Sequence, residues 1–519
     1  MIHTSPYPDV VIPDVTLPDF VMANAHRLGA KPALVDGISG RTVSHAEFAD
    51  QVVRTSVGLV RRGFAKGDVF AICMPNSIEY PIAFHAVARA GGIVTPINSI
   101  STVDEVRKQL SDSGARFVLT CREMAEKIAS AAQGTRVEEI FTTSDAPGTT
   151  PFVTLLDSSA EIAMPAIDPR EDVVALPYSS GTTGLCKGVM LTHRNLVANL
   201  IQLDVGHMRE SDVLVCVLPM FHIYGLTAIV NFSLRRGCTA VTLPRFDLAE
   251  LIDVLEKRRV TFAHLVPPIL LAIAKNPLFS GRDLSHLRVV FSGAAPLSAE
   301  LSRECAERLG CAVVQGYGMT ESSPATHMTP MQPGTSKHGS IGVCLPNTEC
   351  RIVDTATGRD LAFDEPGELW VRGPQVMKGY LNQPEATRAT VDAEGWLHTG
   401  DVGYVDRDGQ FFIVDRVKEL IKYKAWQVAP AELEALLATH PCVADVAVIG
   451  APDAEAGEIP KAFVVLRGAA TADELMRFVA ERVAPYKKVR AVQFVDSIPK
   501  SASGKILRRV LVERERLRE

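Results

Sequence analysis

The segment Tyr178–Gly188, "YSSGTTGLCKG", decides how the rest of the sequence is interpreted. It combines three glycines, four serine and threonine hydroxyls and Lys187 near its end. Glycines free backbone N–H groups to surround phosphate oxygens, and a lysine ammonium adds a point charge. The common nucleotide loop needs G-x-x-x-x-G-K-[ST], whereas here Cys186 precedes the lysine and Gly188 follows it. The segment therefore predicts a loop that holds a polyphosphate in a different way.

The bulk composition indicates a large, soluble globular protein. A chain of 519 residues exceeds the usual size of a single core, so we expect at least two domains. A net charge of −6, without a long basic run, predicts no nucleic-acid partner. The apolar runs are shorter than the roughly 20 residues that span a bilayer, so no membrane span is predicted.

The termini and the cysteines indicate a reducing compartment. The N-terminus lacks the pattern of a signal peptide, and "RERLRE" at the C-terminus is no targeting signal. Ten cysteines occur without a C-x-x-C pair or a Cys/His metal spacing, which predicts reduced and mostly buried thiols. We expect a cytoplasmic protein that is a monomer or a homodimer.

Alternating strand-like and helix-like runs predict an α/β fold. The strand-like runs include Val69–Met74, Gly92–Pro96 and Arg116–Thr120, and helix-like stretches such as Ser77–Ala90 and Val103–Ser113 lie between them. This alternation is typical of parallel sheets covered by helices. We predict such sheets, flanked by helices, in a large N-terminal domain.

Two smaller units are predicted further along the chain. The runs Thr348–Val353 and Gly367–Gly373, with turns between them, indicate a small β-barrel-like unit. After Asp415 come a helix at Pro430–Thr439 and a strand at Val443–Gly450. We predict that residues 1–417 form the large domain and residues 418–519 a smaller α+β domain, within the usual range of domain sizes.

Seven motifs together resemble one family. The segment "YSSGTTGLCKGVMLTH" resembles the signature loop of the adenylate-forming superfamily, which contains acyl-CoA synthetases, luciferases and nonribosomal-peptide adenylation domains. The other motifs are PMFHIYG at Pro219–Gly225, SGAAP at Ser292–Pro296, QGYGMTE at Gln315–Glu321, GWLHTGD at Gly395–Asp401, DRVKELIKYKAWQVAPAELE at Asp415–Glu434 and PKSASGK at Pro499–Lys505. The residues of these motifs resemble the 4-coumarate–CoA ligase branch in particular. The resemblance implies an ATP-binding N-terminal domain and a mobile C-terminal lid.

The resemblance implies a nucleotide site on the large domain. Judged by themselves, Asp401 and Arg416 fit a surface salt bridge equally well. The resemblance implies that they would contact the ribose. Small residues beside Tyr317 would flank a flat base. The predicted ATP-binding residues are Ser179, Ser180, Gly181, Thr182, Thr183, Gly184, Lys187, Ser292, Gly293, Ala294, Gln315, Gly316, Tyr317, Thr320, Asp401 and Arg416.

Three further roles follow from the resemblance and not from the residues alone. Glu321, by itself a solvated turn acid, would bind Mg²⁺ together with Thr183. His222, by itself a core histidine, would lie near the acyl carboxylate and orient the reacting groups. Lys505, by itself a solvated terminal lysine, would stabilise the charge that develops on the α-phosphate.

The second half of the reaction would use another face of the C-terminal domain. The resemblance places a hinge at Lys418, about which this domain rotates to bring Lys422 and Gln427 to the acyl-adenylate. The predicted coenzyme A contacts are Lys424, Ala425 and Trp426. Ala425 departs from the family's usual glycine, so we expect slower thioester formation with adenylation intact. We interpret Cys186 as a tolerated loop residue.

The acyl pocket is predicted from the same motifs. Its residues are Ile223, Tyr224, Ala228, Phe291, Ala294, Gly318, Pro324 and Ala325. Small residues leave a slot, and no lysine or arginine in these segments would pair with a second carboxylate. A planar hydroxycinnamate fits best, and a medium-chain fatty acid fits nearly as well because an apolar slot discriminates only ~1–3 kcal/mol per methylene.

The leading hypothesis is an acid–CoA ligase that forms acyl-CoA, AMP and pyrophosphate through an acyl-adenylate. Its partners are ATP, CoA and a small carboxylic acid. An enzyme that loads a separate carrier protein is a second hypothesis, and a luciferase-like monooxygenase a third. A relative that binds without catalysis is a fourth, which the presence of Glu321, Asp401, Arg416 and Lys505 disfavours.

Overall fold

A computed structural model describes residues 1–156, 162–179, 186–279, 281–295, 297–331, 335, 337–424, 426–453, 455–501 and 504–516. The strands are β1 (His3–Thr4), β2 (Pro32–Asp36), β3 (Thr42–Ser44), β4 (Val69–Cys73), β5 (Ile93–Pro96), β6 (Phe117–Thr120), β7 (Glu139–Thr142), β8 (Thr150–Pro151), β9 (Val173–Ala175), β10 (Tyr178–Ser179), β11 (Lys187–Thr192), β12 (Val213–Cys216), β13 (Thr239–Thr242), β14 (Phe262–Leu265), β15 (Val289–Ser292), β16 (Ala312–Gly318), β17 (Ala325–Met328), β18 (Val343–Cys344), β19 (Glu349–Val353), β20 (Gly367–Arg372), β21 (Gly379–Tyr380), β22 (Leu397–Val405), β23 (Phe411–Arg416), β24 (Ile421–Tyr423), β25 (Trp426–Val428), β26 (Val443–Asp453), β27 (Gly457–Leu466) and β28 (Ala491–Phe494).

The helices are α1 (Leu17–Met22), α2 (Ala25–Leu28), α3 (His45–Arg61), α4 (Glu79–Arg89), α5 (Val103–Ser113), α6 (Ala125–Ala132), α7 (His193–Gln202), α8 (Phe232–Arg236), α9 (Leu248–Lys257), α10 (Pro267–Lys275), α11 (Ala299–Leu309), α12 (Pro384–Thr390), α13 (Pro430–Ala438), α14 (Ala472–Ala480) and α15 (Arg508–Arg516). A π-helix spans Tyr224–Asn231.

Two nine-stranded sheets form the large domain. One has the order β10-β11-β9-β5-β4-β6-β7-β8, with β21 added on β11, and the other has the order β18-β17-β16-β15-β14-β12-β13-β2-β3. The central pairs of both sheets are parallel. Helix α4 is buried from Tyr80 to Ala88 because it packs in the core that the two sheets share.

A third sheet is antiparallel and has five strands in the order β1-β19-β20-β22-β23. Its buried residues, among them Cys350, Leu369 and Phe411, form a core of their own. This sheet occupies the place of the predicted β-barrel-like unit. Its strands β22 and β23 carry Asp401 and Arg416 directly opposite each other.

The residues after the turn at 417–419 form a separate C-terminal domain. Its sheet has the order β25-β24-β27-β26, with β28 parallel to β27, and it encloses an independent apolar core from Ile421 to Val489. The predicted α/β class with a smaller α+β domain is therefore confirmed. The boundary between residues 417 and 418 stays a prediction. In the part of the chain that the structure describes, no helix combines the length and apolarity needed to cross a membrane.

Candidate active site

One large cavity brings most of the predicted residues together. Its volume is about 2530 Å³, and both domains line it. The predicted residues that line it are Ser179, Lys187, His222, Ile223, Tyr224, Ala228, Phe291, Gly293, Ala294, Gln315, Gly316, Tyr317, Gly318, Thr320, Glu321, Pro324, Ala325, Asp401, Arg416, Lys418 and Lys505. Sequence positions more than 300 residues apart therefore line one cavity.

The signature segment enters this cavity on a β-hairpin. Strands β10 and β11 pair so that Ser179 lies opposite Lys187. The Lys187 ammonium lies 4.7 Å from the centre of the Tyr380 ring, a cation–π contact that fixes its position at the base of the segment. The predicted residues Ser180, Gly181, Thr182, Thr183 and Gly184 lie outside the described residues.

Glu321 is held at the same end of the cavity. Ser179 Oγ donates a hydrogen bond of 2.7 Å to Glu321 Oε1, and the Tyr380 hydroxyl donates one of 2.9 Å to the same oxygen. The residue is only 5% exposed. Among the described residues, none bonds Oε2. A buried carboxylate with one oxygen fixed by two hydroxyls fits the oxygen-ligand preference of Mg²⁺.

The sequence motifs did not indicate Tyr380 as a site residue. It comes from β21, which joins the sheet edge at β11, and no motif spacing links it to Glu321. Burial and the neighbouring Glu321 raise its pKa, so the phenol stays protonated and keeps donating.

The predicted ribose contacts lie beside one another, with a hydrogen bond from Tyr317 to Asp401 and an ion pair between Asp401 and Arg416. The Tyr317 hydroxyl donates to Asp401 Oδ2 at 2.5 Å, and Arg416 Nε lies 3.1 Å from Asp401 Oδ1. Burial and Asp401 raise the pKa of Tyr317, which keeps the phenol a donor. A hydrogen bond from Tyr317 and the charge of Arg416 hold the Asp401 carboxylate in one orientation, so it can accept hydroxyls of a sugar without reorganising.

The segments around the predicted base site are tightly packed. A Cβ on Gly316 would approach the Phe291 ring to 2.4 Å, so only glycine fits there. Gln315 Oε1 accepts a hydrogen bond of 3.3 Å from the backbone N–H of Leu297. Ser292 is 1% exposed and, unlike Gly293 and Ala294 after it, does not line the cavity. Direct contact between Ser292 and a nucleotide is therefore not favoured.

Lys505 reaches the cavity from the C-terminal domain. A Cβ built on the preceding Gly504 lies 3.1 Å from the ring of Pro268, so this segment rests against the start of α10. Burial, followed by the charge of Arg416, lowers the pKa of Lys505, while Asp401 and Glu321 act in the opposite direction. Lys505 and the carboxylates of Glu321 and Asp401 thus line one cavity and interact electrostatically.

His222 lines the same cavity as Lys505. Its Nδ1 accepts a hydrogen bond of 3.2 Å from the backbone N–H of Tyr224. Burial and the positive charge of Lys505 lower the pKa of His222 to about 4. The imidazole is therefore neutral at physiological pH, with its orientation set by the backbone.

The predicted acyl end of the cavity, which Tyr224 and Phe291 line, contains a second histidine that the sequence did not indicate. His264 on β14 is 4% exposed, and a hydrogen bond of 3.0 Å joins its Nδ1 to the Tyr224 hydroxyl. The rings of Phe262 and Phe291 lie 5.1 and 5.2 Å from it. Nε2 has no hydrogen-bond partner among the described residues. Burial lowers the pKa of His264 to about 3, so this orphaned nitrogen belongs to a neutral ring.

The rest of the acyl end is apolar. A Cβ on Gly318 would meet the Pro324 carbonyl oxygen at 2.0 Å, which explains the glycine. Further apolar residues that line this end are Leu203, Met208, Phe232 and Met328. The described lysines and arginines that line the cavity are Lys187, Arg416, Lys418, Lys487, Lys500, Lys505, Arg508 and Arg509, none of them in the predicted acyl segments.

Comparison with known proteins agrees with this geometry. Residues 21–381 match the family described as AMP-binding enzyme, and residues 432–505 match the AMP-binding enzyme C-terminal domain. The chain belongs to the AMP-binding enzyme family. Among its relatives, 4-coumarate-CoA ligase 1 of Narcissus pseudonarcissus is 43% identical, over 98% of this chain and 96% of the relative.

Solved AMP-binding enzymes share the whole fold. The ATP-bound MatB of Rhodopseudomonas palustris has a TM-score of 0.88 and 30% identity, covering 97% of this chain and 100% of that one. The anthranilate CoA ligase AuaEII, in complex with anthranoyl-AMP, has a TM-score of 0.90 and 26% identity, covering 98% of both chains.

The residues predicted for the thiol step lie elsewhere in this AMP-binding enzyme. Lys422 is exposed and does not line the cavity, and its backbone N–H donates to Glu458 Oε2 at 2.7 Å. Lys424 is exposed and pairs with Glu455 at 2.9 Å. Ala425 and the side chains of Trp426 and Gln427 lie outside the described residues. The arrangement therefore brings Lys505, and not Lys422, to the cavity.

Proposed function

We propose that this protein is an ATP-dependent carboxylic acid–CoA ligase that acts on 4-coumarate or a closely related hydroxycinnamate. One observation carries the proposal: Lys505, Glu321 and the Asp401–Arg416 pair line the same cavity as an aromatic-walled acyl end. Membership of the AMP-binding enzyme family and relatives named 4-coumarate–CoA ligase support the same activity.

In the first half-reaction, an oxygen of the substrate carboxylate attacks the α-phosphorus of ATP. The bond from that phosphorus to the bridging oxygen breaks, and acyl-AMP and pyrophosphate form. Asp401 would accept the ribose hydroxyls, and the Lys505 ammonium would stabilise the negative charge that grows on the α-phosphate. Neutral His222 would orient the carboxylate by a hydrogen bond that adds no charge.

Magnesium is part of the proposal through Glu321 and Thr183. The Glu321 carboxylate fits such an ion because Ser179 and Tyr380 fix one oxygen and leave the other to a ligand. A bound Mg²⁺ ion would neutralise phosphate charge. Lys187, held against Tyr380, would add a second positive charge at this end.

In the second half-reaction, the thiol of CoA loses its proton and its sulfur attacks the acyl carbon. The carbon–oxygen bond to AMP breaks, and the thioester forms. We propose that rotation about Lys418 first withdraws Lys505 and then presents Lys422 and Gln427, with CoA passing Lys424, Ala425 and Trp426. A cytoplasmic location and a monomer or homodimer complete the proposal.

The acyl end favours a hydroxycinnamate over a simple fatty acid. The aromatic rings around His264 suit a planar substrate. Its unpartnered Nε2 is itself buried and would pair with a polar group at the distal end once the ring turns toward the substrate. If the Tyr224 hydroxyl donates to Nδ1, then Nε2 carries the hydrogen and can donate to a phenol oxygen. A site that leaves such a group unpaired disfavours substrates without it.

ATP–pyrophosphate exchange with a panel of acids, repeated with CoA, tests the proposal. We expect exchange with 4-coumarate, weaker exchange with cinnamate, and 4-coumaroyl-CoA when CoA is added. Exchange confined to medium-chain fatty acids would overturn the substrate assignment. Exchange without any CoA thioester would overturn the ligase assignment in favour of an enzyme that loads a carrier protein.

A further inference from the structure

A second group of reactive side chains lies outside the cavity, behind Tyr317. His327 Nε2 is 3.4 Å from Cys350 Sγ and 3.7 Å from Cys344 Sγ, and the three ligand atoms all lie within 4.8 Å of one another. The three residues are 0–1% exposed. Neither the adenylation chemistry nor the thiol step described above uses them.

The group joins two different sheets. His327 on β17 is paired with Cys344 on β18, both at the edge of a nine-stranded sheet. Cys350 lies on β19 of the five-stranded sheet, opposite Val371 on β20. Three side chains from two sheets converge on one point, which the sequence order alone does not reveal.

Thr326 contacts the other ring nitrogen of His327. A hydrogen bond of 2.9 Å joins Thr326 Oγ1 to His327 Nδ1, and the same hydroxyl lies 3.4 Å from the Tyr317 carbonyl oxygen. If Oγ1 accepts from Nδ1–H, the lone pair of Nε2 faces the two sulfurs. Such an outer partner is usual for a metal-bound histidine.

The distances match those between ligands of a tetrahedral zinc ion. A zinc–sulfur bond is about 2.3 Å long and a zinc–nitrogen bond about 2.0–2.1 Å. At the tetrahedral angle, these lengths place a nitrogen ligand about 3.5 Å from a sulfur ligand. The observed separations of 3.4 and 3.7 Å lie on either side of that value.

Charge balance selects a divalent ion. Two thiolates and a neutral imidazole carry a total charge of −2, so a divalent cation gives a neutral complex. Neutrality matters here because an unbalanced charge is costly in a buried site. Thiolate and imidazole ligands favour zinc over magnesium or calcium.

We propose that His327, Cys344 and Cys350 bind one zinc ion that fastens the edge of the nine-stranded sheet to the five-stranded sheet. On binding, two thiol protons leave and two zinc–sulfur bonds and one zinc–nitrogen bond form, with no change in oxidation state. The described side chains supply three ligands. The ion stiffens the support behind Tyr317, whose ring lies 5.8 Å from that of His327.

Metal analysis of the full chain, expressed with added zinc and then desalted, tests the proposal. We expect about one zinc per chain in the wild type and a small fraction of that in Cys350→Val. Cys305→Ser is the matched control, because it removes a thiol that is equally buried but lies by the Leu270 carbonyl. This control retains its zinc, and so does Cys186→Ser, which removes the exposed thiol.

Cobalt substitution and thermal melting give readouts that do not depend on ligase activity. Cobalt added to chelator-treated protein is expected to produce thiolate-to-cobalt charge-transfer bands, absent in Cys350→Val. Removal of zinc is expected to lower the melting temperature of the wild type, and added zinc to restore it. A wild type that retains no zinc and shows no such bands, or that contains a Cys344–Cys350 disulfide by mass spectrometry, would overturn the proposal even if every variant failed to fold.

Discussion

At the scale of single residues, Lys505 is a cation that lines the same cavity as Glu321 and Asp401. Replacing it by glutamine keeps a polar side chain, one atom shorter, and removes the charge. We expect Lys505→Gln to lower the adenylation rate by ~10²–10³, as for other preorganised contacts to developing charge. ATP–pyrophosphate exchange measures this rate.

The control for that substitution is Lys488→Gln, a lysine of the same domain that does not line the cavity. Its exchange rate should equal that of the wild type. The assignment of Lys505 to adenylation fails if both variants exchange pyrophosphate equally well while CoA-dependent turnover alone declines in Lys505→Gln.

His264 offers a test of substrate choice. Phenylalanine at this position keeps an aromatic ring and removes the unpartnered nitrogen, so a hydrogen bond worth about 1 kcal/mol should be lost. We expect His264→Phe to lower kcat/KM for 4-coumarate by about fivefold to tenfold relative to cinnamate. Cinnamate, which lacks the phenol, is the internal control, and an unchanged ratio between the two acids would contradict the role.

Residues on motifs were predictable, and residues brought together only by the fold were not. Glu321, Asp401, Arg416 and Lys505 each lie in a distinctive local pattern, and all four line the cavity. His264 lies in an ordinary apolar strand. Its importance comes from Tyr224, which is 40 positions away in sequence and reaches it through the sheet.

At the scale of single elements, the segment of β24 and β25 contains Ala425, where the family usually has glycine. Tyr423 pairs with Trp426, and Lys424 between them has a φ of 53°, in the left-handed region. Two-residue hairpin connections of this kind favour glycine. We therefore expect Ala425→Gly to raise the rate of CoA-thioester formation and leave pyrophosphate exchange unchanged.

A single-turnover assay that starts from preformed acyl-AMP and adds CoA measures this step directly. Ala425→Ser is the matched control, because it keeps a Cβ at the same position. Equal thioester rates in Ala425→Gly and the wild type would show that the alanine does not limit the reaction.

Element bounds were most predictable where the ends carry capping residues. Helix α5 spans Val103–Ser113, as predicted, because Thr102 and Glu105 form a capping box and Gly114 follows in the left-handed conformation. The π-helix at Tyr224–Asn231 had no such signal in the sequence. It depends on packing, since every residue in it is buried.

At the scale of the whole molecule, buried histidines make stability depend on pH. Burial lowers the pKa of His85, His193 and His222 to about 4 and that of His264 to about 3. The unfolded chain binds protons at these groups near pH 6.5, before the folded chain does. The free energy of unfolding should therefore fall as pH decreases from 7 to 5, by about 1–2 kcal/mol per histidine.

Glu434 opposes this trend, because burial raises its pKa to about 7 and the folded chain binds that proton first. Urea titrations at pH 7 and pH 5 measure the balance, in which four histidines outweigh one glutamate. His207→Asn, at an exposed position, should leave the difference unchanged. A midpoint at pH 5 equal to or above that at pH 7 would contradict the expectation.

The architecture was predictable because its sequence pattern is repeated. The convergence of Cys344 and Cys350 on His327 was not predictable from the sequence. Alternating strands and helices occur many times in the large domain, so the α/β class rests on many segments at once. The two cysteines are separated by an ordinary loop, and the histidine belongs to another strand. Only the joining of two sheets makes them neighbours.

The lowered pKa of Lys505 would couple the binding of a nucleotide to the protonation of this amine. Burial and Arg416 favour the neutral amine, whereas the negative charges of a bound triphosphate favour the ammonium. ATP bound beside Lys505 would therefore favour uptake of a proton by this amine. We expect the apparent affinity for ATP to weaken once the solution is alkaline enough to deprotonate Lys505 in the free protein.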